Sequence, residues 1–354
     1  MKTTSLKEGQ SVLIIKPSSM GDILHALPVA AELKKAVPGV VVDWVAADSF
    51  AGLVRMSPYV DGIIPFRRRA LGLNGFSFTP VSEIIELARN LRAKKYAAVL
   101  DLHGLLRSGL MAKLAKAPVK IGFSSAREGA GWFYNHVIAD APQNHAVERN
   151  LASLSAFGIN PPAGISYNLA LPESDKEWAN DNIKTRPYVV INPNARWITK
   201  RWPLENYAAL ATSLEKKHGL MSVITGGPED IQRGRALAGL IGPSALDLTD
   251  SGGFSRLAAI LKGAEAVFTN DSGPMHLAAA LGVKVVALFG PTNPKLVGPY
   301  GKGHIVIRQE VDCSPCRNRN GCSNKMKCLA GISAETVLTE WEKTLETGGT
   351  IHGR

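Results

Sequence analysis

The sequence predicts an α/β fold with two domains, each built around a parallel β-sheet. Short runs of apolar, β-branched residues alternate with helical patterns along the chain, which is the order of elements expected of a sheet covered by helices. Glycine and polar residues follow these apolar runs directly in both halves. The length of 354 residues is that of about two ordinary domains.

The elements of the first half follow from their patterns. Residues 11–16 (SVLIIK) form a short apolar run typical of a buried strand, and the helix predicted over 23–37 ends at Pro38-Gly39. Further strands are expected over 40–45 and 62–66 and from 97 to 100, with a helix over 81–91.

The second half repeats this order. Strands are predicted over 188–192, 221–225, 266–269 and 283–289, and helices over 204–217, 231–240 and 274–281. We therefore expect a first domain over 1–170, a polar linker with Pro172 and Pro187 over 171–187, a second domain over 188–346 and a disordered tail over 347–354.

The composition fits a globular protein, with 45% hydrophobic and 20% charged residues. It excludes a disordered chain, a collagen-like fibre and a small disulfide-stapled scaffold. No apolar run approaches the roughly 20 residues that span a bilayer. The first ten residues lack the apolar core of a signal peptide. We therefore expect a cytoplasmic location.

The net charge is +11, and residues 1–170 hold 19 Lys and Arg against 12 Asp and Glu. Such a balance favours anionic partners, namely phosphates, nucleic acid or an acidic membrane face, although a basic surface can also lack any specific partner. A nucleic-acid-binding protein is disfavoured. The chain has no RNP, KH or helix-turn-helix signature, and only 6% of its residues are aromatic.

The residues that follow each strand carry the functional prediction, because ligands of open α/β sheets bind outside the carboxyl ends of the strands. No GxGxxG follows the first strand, and neither a GxxxxGK[ST] nor an HExxH motif occurs, which disfavours dehydrogenases, P-loop NTPases and HExxH metalloproteases. Asp22 lies at the first strand-to-helix turn. It is either a general base for an attacking hydroxyl or simply a helix cap.

A second candidate site follows the strand predicted at 266–269. The amides of Ser272 and Gly273 at a helix N-terminus would suit a diphosphate. The carboxylate of Asp271 would repel phosphate and fits sugar hydroxyls better. The alternative is an ordinary capped helix.

Several separate segments, in order, resemble those of glycosyltransferase family 9, the bacterial ADP-heptose:lipopolysaccharide heptosyltransferases. The resemblance spans roughly residues 11–340, and the start of the chain is most similar to the heptosyltransferase I branch. The segments that carry it are 16–28 (KPSSMGDILHALP), 101–108 (DLHGLLRS), 192–203 (NPNARWITKRWP), 270–280 (NDSGPMHLAAA) and 288–294 (LFGPTNP).

This resemblance implies a GT-B fold of two Rossmann-like domains facing across a cleft. It implies an inverting transfer, without a catalytic cofactor or metal, of heptose from ADP-heptose to a Kdo or heptose residue of the lipopolysaccharide inner core. The first domain would bind the anionic glycolipid acceptor at the inner face of the inner membrane, and the second would bind the nucleotide sugar. The alternative is a family 9 enzyme with another acceptor, such as a later core heptose, a different glycan or a protein.

The resemblance also assigns residues. Asp22 is expected to be the catalytic base. One residue of the pair Glu229 and Asp230 would contact the donor ribose, and Arg196 would supply a bidentate donor where some relatives have a hydroxylated pair. The other donor-site candidates are Lys200, Asp271, Ser272, Gly273 and His276. The acceptor-site candidates are Ser19, Gly21, Arg67, Arg68, Arg69, His103 and Arg107. For Lys200 and for the run of three arginines, the alternative is a solvated surface charge.

All four cysteines lie close together at Cys313, Cys316, Cys322 and Cys328. In a cytoplasmic protein such a cluster suggests structural zinc or iron, although unligated thiols and disulfides are alternatives. We expect no catalytic role for them.

Overall fold

The computed structural model describes residues 4–67, 81–162, 164–183 and 186–346. Arg68, Arg69 and the predicted tail 347–354 lie outside these residues. The chain divides into two compact units, Met1–Ala170 and Leu171–Arg354. The segment predicted as a linker contains a helix over Glu173–Ile183, which belongs to the second unit.

The first unit contains a six-stranded parallel sheet in the order β3-β2-β1-β4-β5-β6. The strands are β1 Ser11–Ile15, β2 Val41–Ala47, β3 Gly62–Phe66, β4 Ala98–Asp101, β5 Val119–Phe123 and β6 His136–Ile138. The helices are α1 Met20–Ala36, α2 Asp48–Arg55, α3 Val81–Arg92, α4 Leu106–Leu114 and α5 Ala146–Leu151, with 3₁₀ turns at Ala130–Phe133 and Ala152–Phe157.

The second unit repeats this topology, with the order β12-β11-β10-β7-β8-β9. Its strands are β7 Tyr188–Asn192, β8 Met221–Ile224, β9 Ala245–Asp247, β10 Val267–Asn270, β11 Val285–Phe289 and β12 Ile305–Arg308. Its helices are α6 Glu173–Ile183, α7 Leu204–His218, α8 Ile231–Ile241, α9 Phe254–Lys262, α10 Gly273–Ala280, α11 Pro294–Val297, α12 Lys327–Ala330 and α13 Ala334–Glu346, with 3₁₀ turns at Ile198–Lys200 and Pro228–Asp230.

The central strands are buried, as expected of parallel sheets with helices on both faces. Every residue of β7 and four of the five in β1 are buried. The largest apolar side chains of the second unit pack around Trp202 and Trp341, which brings α13 onto α7. Among the described residues, no helix combines the length and apolarity needed to cross a membrane.

Strand order reverses between β1 and β4 in the first unit and between β7 and β10 in the second. A crevice that accepts ligands opens at this point of an open α/β sheet, outside the carboxyl ends of the two strands. The residues that follow these four strands are therefore the ones to examine. They include Asp22, His103, Lys200 and Asp271.

Candidate active site

Asp22 lies in the first turn of α1, which begins at Met20, three residues earlier than predicted. Ser19 precedes the helix in an extended conformation. It donates two hydrogen bonds to Asp22 Oδ2, from its amide at 3.0 Å and from its hydroxyl at 2.7 Å. Asp22 therefore caps the start of α1 by reaching back to Ser19. Its second oxygen, Oδ1, has no hydrogen-bond partner among the described residues.

Lys16 directly follows β1 and is buried, with its ammonium group donating to the carbonyl of Leu102 after β4. Burial lowers the pKa of Lys16, and the carboxylates of Asp22 and Asp101 oppose that effect. Crowding by protein atoms raises the pKa of Asp22, but the charge of Lys16 and the hydrogen bonds from Ser19 outweigh it. The pKa of Asp22 is therefore held below its ordinary value, and the carboxylate is ionised at neutral pH.

The turn after β4 is built on the buried carboxylate of Asp101. Its Oδ1 accepts the amides of His103 at 2.9 Å and Gly104 at 3.0 Å, and its Oδ2 accepts the hydroxyl of Tyr134 at 2.6 Å. Gly104 has a φ of +69°, a conformation that favours glycine. The ring of His103 lies 3.3 Å from the guanidinium of Arg107. The structure thus joins two of the predicted acceptor-site residues.

Arg67 is the one residue of the predicted arginine run that lies in the described part of the chain. It is exposed and forms an ion pair with Glu83 on α3 at 2.7 Å, with Asp48 at 3.8 Å. Hydrogen bonding to Glu83 raises the pKa of Arg67. Its charge is therefore shared with these carboxylates.

In the second unit, Lys200 and Asp271 come together although they are far apart in sequence. Lys200 Nζ lies 2.6 Å from Asp271 Oδ2, which also accepts the hydroxyl of Thr292 at 2.6 Å. Both charged side chains are largely buried. Lys200 is therefore not a solvated surface charge, and one oxygen of Asp271 is already occupied.

The predicted anion site lies at the start of α10. Ser272 precedes the helix in an extended conformation, and its hydroxyl lies 3.2 Å from that of Thr269. Gly273 is the first helical residue and Pro274 the second. Pro274 has no amide hydrogen, so Gly273 supplies a free amide at the helix start. His276 is buried within this helix. The N-terminus of α10 offers amides and a dipole to a negative group.

Buried asparagines fix the loops on which these residues stand. Asn270, at the end of β10, accepts the amide of Trp202 at 3.0 Å and donates to the carbonyl of Pro193 at 2.9 Å. Asn192, at the end of β7, donates to the carbonyl of Thr225 at 3.0 Å. These bonds tie the segment before α7 to the strand ends on both sides.

The structure distinguishes the two acids that the sequence could not separate. Asp230 accepts the amide of Gly227 at 3.0 Å, and burial raises the pKa of Asp230. Glu229 is exposed and has no ion-pair or hydrogen-bond partner among the described residues. Glu229 is therefore the more exposed carboxylate of this turn.

Arg196 is exposed and forms no ion pair with an acid among the described residues. Next to it, the ring of Trp197 carries two cations, with Lys200 Nζ at 4.3 Å and the guanidinium of Arg319 at 4.8 Å from its centroid. Sequence reasoning missed Lys16, Thr292, Trp197 and Arg319. Lys16 and Thr292 both follow strands, so the rule that ligands bind at strand ends selects their segments. No pattern in the sequence indicates a role for Arg319.

The predicted metal site at the cysteines is not supported. Among the described residues, no group of three or more histidine, cysteine or acidic side chains is arranged to hold a metal ion. All four thiols are free, with Cys313 and Cys316 exposed and Cys328 buried. Burial and the neighbouring thiols raise the pKa of Cys328.

A family model described as glycosyltransferase family 9 (heptosyltransferase) matches residues 84–327, more than half of the chain. The chain belongs to glycosyltransferase family 9. This family 9 glycosyltransferase is 33% identical over 315 residues to lipopolysaccharide heptosyltransferase 1 of Pseudomonas aeruginosa, covering 86% of this chain and 85% of the relative. It is 32% identical over 332 residues to the protein of the same name from Salmonella typhimurium, covering 92% and 98%.

A solved structure supports the same family. The structure of Escherichia coli heptosyltransferase WaaC with ADP is 30% identical, has a TM-score of 0.76, and covers 95% of this chain and 100% of that chain. The expected resemblance, the α/β fold with two Rossmann-like sheets and the assignment as a glycosyltransferase are thereby confirmed.

Proposed function

We propose that this glycosyltransferase transfers a heptose from ADP-heptose to an anionic glycolipid of the lipopolysaccharide inner core, with a Kdo-lipid A type acceptor. The supporting relatives are named lipopolysaccharide heptosyltransferase 1, and the WaaC structures hold ADP and ADP-2-deoxy-2-fluoro heptose. Relatives named heptosyltransferase 2 and 3 are less similar, at 25–27% identity. The first transfer to the core is therefore favoured over a later one.

The observation that carries the proposal is the carboxylate of Asp22, ionised and held by Ser19 with one oxygen free. In the proposed reaction, an acceptor hydroxyl attacks the anomeric carbon of the donor as the bond to the diphosphate oxygen breaks. The hydroxyl proton passes to Asp22, and ADP leaves. A single displacement of this kind inverts the anomeric configuration.

The residues of the second unit would bind the donor. The amides at the start of α10 and the cations Lys200 and Arg196 would accept the charge that develops on the leaving diphosphate. Glu229 would accept hydrogen bonds from the ribose hydroxyls. No metal or other cofactor takes part in this proposal, and turnover should persist in an excess of chelator.

A turnover panel tests the proposal. The full chain is assayed with ADP-heptose and other nucleotide sugars as donors, and with Kdo-lipid A and heptosylated cores as acceptors. Transfer from ADP-heptose to Kdo-lipid A with inversion is the expected result. Preference for a heptosylated core, another glycan or a protein would show the alternative family 9 activity.

The base assignment has its own variant. Asp22→Asn should lower turnover by about two orders of magnitude or more, because a general base is lost, and should leave ADP affinity unchanged. Glu148→Gln, which removes an exposed acid of the same unit, is the matched control. Near-normal turnover of Asp22→Asn would exclude Asp22 as the base.

On this proposal the enzyme works at the cytoplasmic face of the inner membrane, where its glycolipid acceptor lies. The basic first unit, with its excess of seven positive charges from 19 basic and 12 acidic residues, would face the anionic lipid. Ser19, Gly21, His103, Arg107 and the run Arg67–Arg69 remain the proposed acceptor-binding residues.

A further inference from the structure

Lys200 cannot act as an unshielded cation for the donor. Its ammonium group pairs with Asp271 at 2.6 Å, and both side chains are largely buried. The pair carries no net charge, whereas a leaving nucleoside diphosphate carries several negative charges. A further cation near Lys200, in addition to Arg196, would therefore strengthen the proposed donor site.

The segment 313–320, which we call the cysteine loop, lies against the residues on either side of this pair. The hydroxyl of Thr199, next to Lys200, donates to the carbonyl of Asn318 at 2.6 Å. Near Thr292, the amide of Arg317 donates to the carbonyl of Pro291 at 2.8 Å. The hydroxyl of Ser314 donates to the carbonyl of Gly290 at 2.6 Å. The cysteine loop is thus bonded to both loops that hold the Lys200–Asp271 pair.

This loop brings a cation to the same place. The guanidinium of Arg319 lies 4.8 Å from the centre of the Trp197 ring, and Lys200 Nζ lies 4.3 Å from it. Arg319 is exposed and forms no ion pair with a carboxylate in the part of the chain that the structure describes. Arg319 thus brings a positive charge without a carboxylate partner beside the neutral Lys200–Asp271 pair, and such a charge attracts an anion.

We propose that Arg319 binds the diphosphate of the donor, with Trp197 as the platform that holds it beside Lys200. This inference rests on the proposed function and extends its donor site to the cysteine loop. Arginine suits the role because its planar guanidinium offers several donors to phosphate oxygens and stacks on aromatic rings. Because Asp271 neutralises Lys200, Arg319 provides the positive charge for the diphosphate.

Binding of ADP and of adenosine to the full chain, measured by calorimetry, tests this inference. Arg319→Gln should weaken ADP binding by about tenfold or more, because a charge-assisted contact to phosphate is lost. Adenosine has no phosphate, so its affinity should not change. Arg319→Lys should retain part of the ADP affinity, and the apparent KM for the donor should rise more than that for the acceptor.

The control is Lys216→Gln, which removes one exposed positive charge of the same unit. Lys216 lies in the last turn of α7, just before β8 begins and so away from the carboxyl ends of the strands. Lys216→Gln should therefore leave ADP binding unchanged. Equal ADP affinity of Arg319→Gln and wild type would overturn the inference, as would an equal loss of ADP and adenosine binding. Failure of the wild-type chain to bind ADP would instead overturn the proposed donor, and the inference with it.

Discussion

The carboxylate of Asp22 combines a structural role as a helix cap with the proposed role of catalytic base. Its Oδ2 accepts both groups of Ser19 and closes the start of α1, while Oδ1 stays available. The two hydrogen bonds from Ser19 fix the direction of the Asp22 side chain, so the proposed base needs no second acidic residue to hold it in place. Because the cap also favours the ionised form, it keeps the carboxylate ready to accept a proton at neutral pH.

Lys16 should set the acid side of the pH–rate profile. Its positive charge lowers the pKa of Asp22, so Lys16→Met should raise that pKa and move the acid limb of kcat/KM to higher pH. At neutral pH and above, where Asp22 stays ionised in both proteins, the rates should differ less. The measurement is the pH profile of kcat/KM, with thermal unfolding as a check on folding.

Lys16→Arg keeps the charge and serves as the control. Its acid limb should lie close to that of the wild type. An acid limb of Lys16→Met that coincides with the wild-type limb would show that ionisation of Asp22 does not limit the rate there.

The Lys200–Asp271 pair makes a second prediction at this scale. Lys200→Met leaves the Asp271 carboxylate buried with only Thr292 as a partner, so the free energy of unfolding should fall by about 1–3 kcal/mol. Asp271→Asn should bind ADP at least as tightly as wild type, because Lys200 then keeps its charge for the diphosphate. Lys200→Met should bind ADP more weakly.

The double variant Lys200→Met/Asp271→Asn completes the cycle. It should regain part of the lost stability, since no buried charge is left unpaired, but not the lost ADP affinity. Calorimetry and denaturant unfolding measure the two effects. Weaker ADP binding by Asp271→Asn would show that this carboxylate supports the donor directly.

The sequence could predict which residues flank the site but not how they pair. Asp22 and Asp271 follow apolar strands, and the rule that ligands bind at strand ends selects them without a structure. The pairing of Lys200 with Asp271 joins positions 71 residues apart, and Thr199 meets Asn318 across 119 residues. Such contacts depend on how loops fold over the sheet edge, which local patterns do not encode.

At the scale of elements, the turn between β8 and α8 depends on the absence of a side chain at Gly226. A Cβ there would lie 2.7 Å from Asn194 Nδ2 and 2.8 Å from Asp230 Cβ. The turn therefore packs directly against the loop after β7. This close approach places Glu229 at the strand ends.

Gly226→Ala should displace this turn. We expect a loss of about 1–3 kcal/mol in the free energy of unfolding, as for other overpacked sites, and a higher KM for the donor because Glu229 moves. Gly239→Ala is the matched control, because nothing lies within 4 Å of its added Cβ in the last turn of α8. That control should be neutral or slightly stabilising, by up to about 1 kcal/mol. An unchanged donor KM in Gly226→Ala would separate Glu229 from donor binding.

Elements were predictable where burial and pattern agree. The strands over 62–66 and 188–192 are predicted with the bounds that the structure shows, since a charged residue follows the first apolar run and a proline follows the second. The edge strands β6 and β9 have only three residues each and include His136 and Asp247, so no apolar run marks them. Helix α6 was missed because its polar sequence resembles a linker, with only Ala179 and Ile183 buried.

At the scale of the whole molecule, the net charge of +11 predicts attraction to anionic surfaces. The full chain should bind vesicles that contain anionic phospholipid and not vesicles of neutral lipid. Binding should weaken as salt is raised from about 0.1 M to 1 M, since the screening length falls from about 10 Å to 3 Å. Cosedimentation at several salt concentrations measures this.

The run Arg67–Arg69 should carry much of this attraction and of acceptor binding. Changing all three to Ser should reduce binding to anionic vesicles by about tenfold or more, at about 1 kcal/mol for each basic residue near the surface. It should also raise the KM for the acceptor and leave ADP affinity unchanged. Arg67→Ser alone should have a small effect, because Glu83 already offsets its charge at 2.7 Å.

The control removes the same number of positive charges from the second unit, as Lys216→Gln, Lys302→Gln and Lys325→Gln together. If that control weakens vesicle binding as much as the arginine variant does, total charge rather than the arginine run governs attachment. A fall in ADP affinity in the arginine variant would contradict the assignment of the acceptor to the first unit.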